Sequence, residues 1–281
     1  MKSFLKLSLL AGIMLFAATA CQKSNDLATT GPVLKASASI DTSSPVVKLL
    51  VDSVWYYYEY YSYPNSLSAT LVWKANKPNN TLDLSLNKVT YFNDGTYTER
   101  DQYGNVFNGT WELLNNETQI RVYNSYGTFT STIKKLNNKE FEWQDSNNVT
   151  YGIMRHVFPG IDTSVSATTL LTSQEWKYDA YYSNYNANSA YVDYKTGKSN
   201  NAKAMSNMRV KFNTDGTYYE VDQSGNYLYG TWALSGTTFT VYNSFGIGVY
   251  ASTINVLTTD RFEWKSHWTD TGGPFYGELV H

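Results

Sequence analysis

The stretch Phe92-Asn93-Asp94-Gly95-Thr96-Tyr97 returns, one residue longer, as Phe212-Asn213-Thr214-Asp215-Gly216-Thr217-Tyr218. Asp-Gly between apolar alternations marks a tight hairpin whose turn needs a positive φ. Working outward, the same pairing recurs in the same order. Trp55, Tyr60, Tyr61 and Ser62 match Trp176, Tyr181, Tyr182 and Ser183. Lys74-x-x-Lys77-x-Asn79-Asn80 matches Lys195-x-x-Lys198-x-Asn200-Asn201, and Asp101-Gln102-x-Gly104-Asn105 matches Asp222-Gln223-x-Gly225-Asn226. Gly109-Thr110-Trp111, Val122-Tyr123-Asn124-Ser125 and Phe141-Glu142-Trp143 return as Gly230-Thr231-Trp232, Val241-Tyr242-Asn243-Ser244 and Phe262-Glu263-Trp264. The repeat is domain-sized, far longer than a solenoid unit. Residues 46–157 and 168–281 are therefore two copies of one fold, joined by the Pro-Gly-containing linker 158–167.

Each copy reads as antiparallel β-structure. Trp111 and Leu113 share one face while Thr110 and Glu112 share the other; Ile120 and Val122 alternate with Gln119, Arg121 and Tyr123. This period of two, with one apolar face, is what a closed or two-layered sheet requires. About eight strands per copy would close a barrel filled by side chains or holding one small ligand. No segment has helical periodicity. The predicted fold is all-β, two tandem antiparallel β-barrels, with an immunoglobulin-like sandwich as the alternative.

The N-terminus carries a leader. Lys2 and Lys6 precede the apolar run Leu7–Phe16, which is too short to span a bilayer, and then Ala17, Ala18, Thr19 and Ala20 lead to Cys21. The segment resembles a lipobox, which implies cleavage of the signal peptide 1–20 and diacylation of Cys21. Cys21 is the single cysteine, so it has no disulfide partner. Gln22-Lys23-Ser24-Asn25-Asp26 resembles the export signal of Bacteroidetes lipoproteins, implying an outer-membrane, surface-facing location. Residues 21–45 read as a flexible tether. Loss of Lys2 and Lys6 takes the formal charge from −2 to −4, and no basic block for nucleic acid appears. The anchor is the expected membrane partner.

The Trp near the first strand, the Phe-Asn-Asp-Gly-Thr-Tyr hairpin, the Gly-Thr-Trp strand and the closing Phe-x-Trp strand together resemble lipocalin-like domains of Bacteroidetes lipoproteins. The resemblance covers both copies. It implies lipocalin-like barrels that bind small molecules or surfaces. Where lipocalins carry Gly-x-Trp, this chain has Ser53 and Gln174 two residues before Trp55 and Trp176.

Chemistry is sparse. There is no phosphate loop, nucleophile elbow or clustered metal-ligand pattern, so no cofactor and no metal is expected. His156 and His281 follow the last strand of each copy and read as strand ends. Glu99/Glu220, Asp101/Asp222 and Glu142/Glu263 are kept in both copies. Asp101 is expected to bond its own turn, and Glu142, flanked by two aromatics, to face water. Trp111 and Trp232 are expected in cores. Of the run Tyr56-Tyr57-Tyr58-Glu59-Tyr60-Tyr61, several rings are expected outside or at a rim. The copies differ most at 62–88 and 183–208, where Trp73, Lys74, Lys77, Tyr194, Lys195 and Lys198 are the candidate ligand contacts. The expected function is a non-enzymatic, cell-surface lipoprotein that binds a glycan, peptide or small amphiphile. The alternative is an interaction component of an outer-membrane complex with no small-molecule site.

Overall fold

The computed structural model describes residues 40–51, 53–243, 248–267 and 273–281. The predicted signal peptide, Cys21 and most of the predicted tether lie outside the described residues. The strands of the first copy are β1 (Val54–Ser62), β2 (Thr70–Lys74), β3 (Lys88–Tyr91), β4 (Thr96–Arg100), β5 (Val106–Leu114), β6 (Gln119–Asn124), β7 (Gly127–Leu136), β8 (Glu140–Asp145) and β9 (Thr150–Arg155). Those of the second are β10 (Glu175–Ser183), β11 (Ala190–Lys195), β12 (Arg209–Phe212), β13 (Thr217–Val221), β14 (Tyr227–Ser235), β15 (Thr238–Asn243), β16 (Val249–Leu257), β17 (Arg261–Ser266) and β18 (Tyr276–Val280). Among the described residues no helix is long and apolar enough to cross a membrane.

The residues group into two compact units: Asp83–His156 with the chain up to Ser62, and Tyr63–Leu82 with Val157–His281. The excursion 63–82, which carries β2, thus packs with the second copy, although it follows β1 in sequence. In the second unit the antiparallel ladder runs from β12 to β18 in order, and β10 pairs with both ends, β12 and β18. The sheet therefore closes as an eight-stranded antiparallel barrel. β11 pairs with the far half of β10, and β2 adds to β11. In the first unit β1 pairs with β9 and β3, and β3 to β9 pair in sequence.

The hairpin reading holds in detail. Gly95 and Gly216 have φ of +78° and +82°, where a side chain would be strained. Asp94 and Asp215 accept hydrogen bonds from the backbone N–H and hydroxyl of Thr96 and Thr217. Asp101 accepts from the N–H of Tyr103 and Asn105, as expected for a turn aspartate.

Two short helices, α1 (Pro45–Val51) and α2 (Ala167–Thr172), were not expected. Each is under two full turns, too short to express a helical period. Ser166 caps α2 by accepting from the Thr169 N–H at 3.1 Å. The buried Trp176 donates its indole N–H to the Leu171 carbonyl at 3.0 Å, and Trp55 does the same to Leu50. The end of each helix is thereby tied to the start of its first strand. The cores also contain Trp111 and Trp232, whose indole N–H groups reach the carbonyls of Phe92 and Asn213.

Two expectations fail for a common reason. Tyr57, Tyr58, Tyr60 and Tyr61 are all buried, and Glu142, expected to face water, is half-buried and takes the Tyr151 hydroxyl, while its counterpart Glu263 is fully buried. Strand alternation tells which residues share a face; it is silent on what covers the outer face. In the second unit the cover over β17 and β18 includes Lys74 of β2, which meets Glu263 and Glu278. In the first unit Arg155 lies 4.8 Å over the Tyr58 ring, and Tyr61 packs edge-on to Tyr151.

Candidate functional site

The six residues singled out from the sequence lie mostly on the added β2 and β11 strands and the turns that follow them. Trp73, Lys74, Lys77, Tyr194 and Lys195 are buried and Lys198 is half-buried. The repeated Lys-x-x-Lys-x-Asn-Asn motif is a brace. The Asn80 carboxamide accepts from the Lys74 N–H at 3.0 Å and donates to the carbonyls of Lys74 and Lys77; Asn201 does the same for Lys195 and Lys198.

These braces meet about a local pseudo-twofold. β2 and β11 pair Thr70 with Tyr191 and Leu71 with Ala190. Asn79 donates to the Asn186 carbonyl and its counterpart Asn200 to that of Asn65, both at 2.9 Å. Lys77 donates to the carbonyls of Asn79 and Ala187, and desolvation lowers its pKa to about 8.

Lys74 lies 2.8 Å from Glu278 and 3.2 Å from Glu263, and Arg261 bonds both carboxylates. Buried charges persist only when paired and hydrogen-bonded, and this cluster meets that condition. Lys195 pairs with Asp179 at 2.8 Å. All six candidates are thus placed in packing, braces or ion pairs, and none lines a barrel interior.

The open space lies elsewhere. The second unit encloses a cavity of about 380 Å³ between its strands. Its wall is aromatic and includes Tyr178, Tyr181, Tyr218, Trp264 and Phe275, with Glu220 as the one charged side chain among the described residues. Tyr181 stacks on Phe275 with centroids 5.5 Å apart, and Trp264 stands 6.2 Å from Tyr181. Gly277 lets Trp264 lie flat on the sheet, since a Cβ there would sit 2.5 Å from the indole. The matching cavity of the first unit measures only about 70 Å³, and Glu99 lines it.

Burial, and secondarily Asp222, pushes the Glu220 carboxyl up to about 7; burial and Asp101 push Glu99 up to about 8. Sequence reading noted both carboxylates as kept in the two copies but gave them no place in an interior. The usable signal was phase: Glu220 is two residues from Tyr218, so the two share the inward face of β13.

No family model and no curated protein matches the chain. Among solved structures it is similar to a DUF4847 family protein from Bacteroides vulgatus, at 16% identity and a TM-score of 0.29, over 40% of this chain and 97% of that one.

Proposed function

We propose that this is a non-enzymatic binding lipoprotein, anchored through Cys21 at the outer membrane, whose second barrel holds a small amphiphile inside. The observation that carries the reading is the aromatic cavity of about 380 Å³ in the second unit. That volume falls within the range of small-molecule pockets, which are mostly apolar with a few placed polar groups. The first barrel, with about 70 Å³, serves as filled scaffold. The sequence supports the anchor: the leader ends in small residues before a lone cysteine.

Calorimetric titration of the full chain with a neutral aromatic alcohol, 2-naphthylmethanol, tests the cavity. One site per chain is expected, and Val241→Phe, which adds bulk to the cavity wall, should weaken binding at least tenfold. Absence of binding to the wild-type chain overturns the reading.

A further inference from the structure

We propose that the cavity of the second barrel selects a ligand carrying a protonated amine on an apolar or aromatic body, with Glu220 as its counter-ion. This rests on the cavity being a binding site and adds the chemistry of what it takes.

Elsewhere in the second unit, carboxylates removed from water meet cations: the buried Glu263 and Glu278 meet Lys74 and Arg261, and the half-buried Asp179 meets Lys195. Glu220 has no hydrogen-bond or ion-pair partner among the described residues, and no cationic side chain lines its cavity. Glu220 is half-buried against this apolar wall, and a carboxylate so placed is expensive unless paired. The complement that the cavity lacks is therefore positive. An anionic ligand would add repulsion to the same desolvation.

The wall fits a cation for a second reason. Aromatic faces attract ammonium groups through their quadrupoles, by about 0.5–2 kcal/mol. The protein already uses this wall so: Lys203, which is not among the lining residues, holds its ammonium 4.4 Å from the Tyr181 ring centroid and 5.3 Å from that of Phe275. Its charge is balanced by Asp193 at 3.3 Å. The titratable and charged groups around Glu220 are Tyr178, Tyr181, Tyr218, Tyr250, Asp222 and, behind Tyr181, Lys203. Burial raises Tyr178 well above its ordinary range and Tyr218 to about 12, and turn hydrogen bonds hold Asp222 low. Near neutrality, then, the Glu220 carboxyl changes charge while Tyr178 and Tyr218 stay neutral and Asp222 stays ionised.

The test compares two near-isosteric probes on the full chain by calorimetry, 2-naphthylmethylamine and 2-naphthylmethanol, at pH 5.5, 7 and 8.5. The amine stays protonated throughout. With the Glu220 carboxyl at about 7, the ionised fraction rises from about 3% to about 97%, so the amine should bind roughly 30-fold more tightly at pH 8.5 than at 5.5. The alcohol should show no such rise. Glu220→Gln should weaken the amine at least tenfold at pH 8.5 and leave the alcohol within about threefold; Glu99→Gln should alter neither. Should Glu220→Gln fail to fold, the wild-type pH profile decides alone. If the amine gains nothing over the alcohol at pH 8.5, or binds Glu220→Gln undiminished, the counter-ion is overturned while the cavity stands. If neither probe binds the wild-type chain, both fall.

Discussion

The interiors of the two units differ about fivefold in free volume, roughly 70 against 380 Å³, yet their walls are built from nearly the same residues. Tyr57, Val89, Tyr97, Glu99, Val122, Ser131, Phe141 and Trp143 of the first recur as Tyr178, Val210, Tyr218, Glu220, Val241, Ser252, Phe262 and Trp264. Where they differ, the changes do not shrink the second wall in sum: Phe239 replaces Ile120 and Tyr250 replaces Phe129, against Phe212 for Tyr91 and Leu279 for Met154. Side-chain volume alone does not hollow the second barrel. Ring placement does. Tyr57, Tyr60 and Trp143 are buried against one another, whereas Tyr178, Tyr181 and Trp264 are only half-buried. One substitution accompanies the change: Phe275 stands where the first copy has Thr150, and Tyr181 stacks on it. With nearly the same residues, one unit is thus filled and the other open.

The sharpest way to break this comparison is to excavate both cores. Trp111 is 1% exposed and Trp232 is 9% exposed. Truncating a buried Trp to Ala costs about 3–5 kcal/mol through lost burial and the void left behind. Trp111→Ala should reach the upper part of that range. Trp232→Ala, in the unit that already tolerates open volume, should fall toward the lower part. Calorimetric melting of the full chain measures both. Equal losses would mean that the two interiors are packed alike.

A smaller change probes the wall itself. Gly152 and Gly277 each lie under an indole, and in both a Cβ would come within 2.5 Å of the ring of Trp143 or Trp264. In the filled unit Trp143 has little space to move, so Gly152→Ala should cost about 1–3 kcal/mol as overpacking does. In the hollow barrel Trp264 can swing into the cavity. Gly277→Ala should therefore cost less stability but reduce 2-naphthylmethanol binding severalfold. The opposite ranking in melting temperature would place the free volume in the wrong unit.

What could be read from the sequence, and what could not, divides along the same line. The Asp-Gly turns, the strands they join and the inward Trp111 and Trp232 follow from local φ preferences and a period of two, which neighbours along the chain determine. The burial of Tyr58, Glu263 and Lys74 depends on what packs on the outside of a strand. For Lys74 that is an excursion meeting strands nearly two hundred residues away, and no local pattern encodes it. The lysine motifs resembled exposed recognition loops because their repeated asparagines are the same residues that brace turns. The cavity escaped notice because it depends on how rings are turned, with hardly any change in residue type. Glu220 was legible in phase with Tyr218; that it faced empty space was not.

The two matching carboxyls provide the finest discrimination, through pH. Both are held protonated in the folded state above their ordinary value of 4.5, mainly by burial: Glu220 up to about 7 and Glu99 up to about 8. When folding raises the pKa of a carboxyl, its contribution to stability is full below the ordinary value and is lost as pH rises through the folded one. From pH 4.5 to 7 both groups should therefore lower the stability of the chain. Between pH 7 and 8 Glu220 is largely ionised and Glu99 continues to lose protons, at no more than ~1.4 kcal/mol per pH unit. Glu99→Gln should flatten the stability profile across that last interval. Glu220→Gln should leave it sloping while flattening part of the range below pH 7. Groups common to all three proteins, such as Lys77 with its pKa near 8, cancel when the variants are compared with the parent chain. Urea melts at half-unit pH steps give the profiles. If Glu220→Gln instead removed the slope between pH 7 and 8, the more desolvated carboxyl would lie in the hollow barrel, and the contrast between filled and open interiors would be reversed.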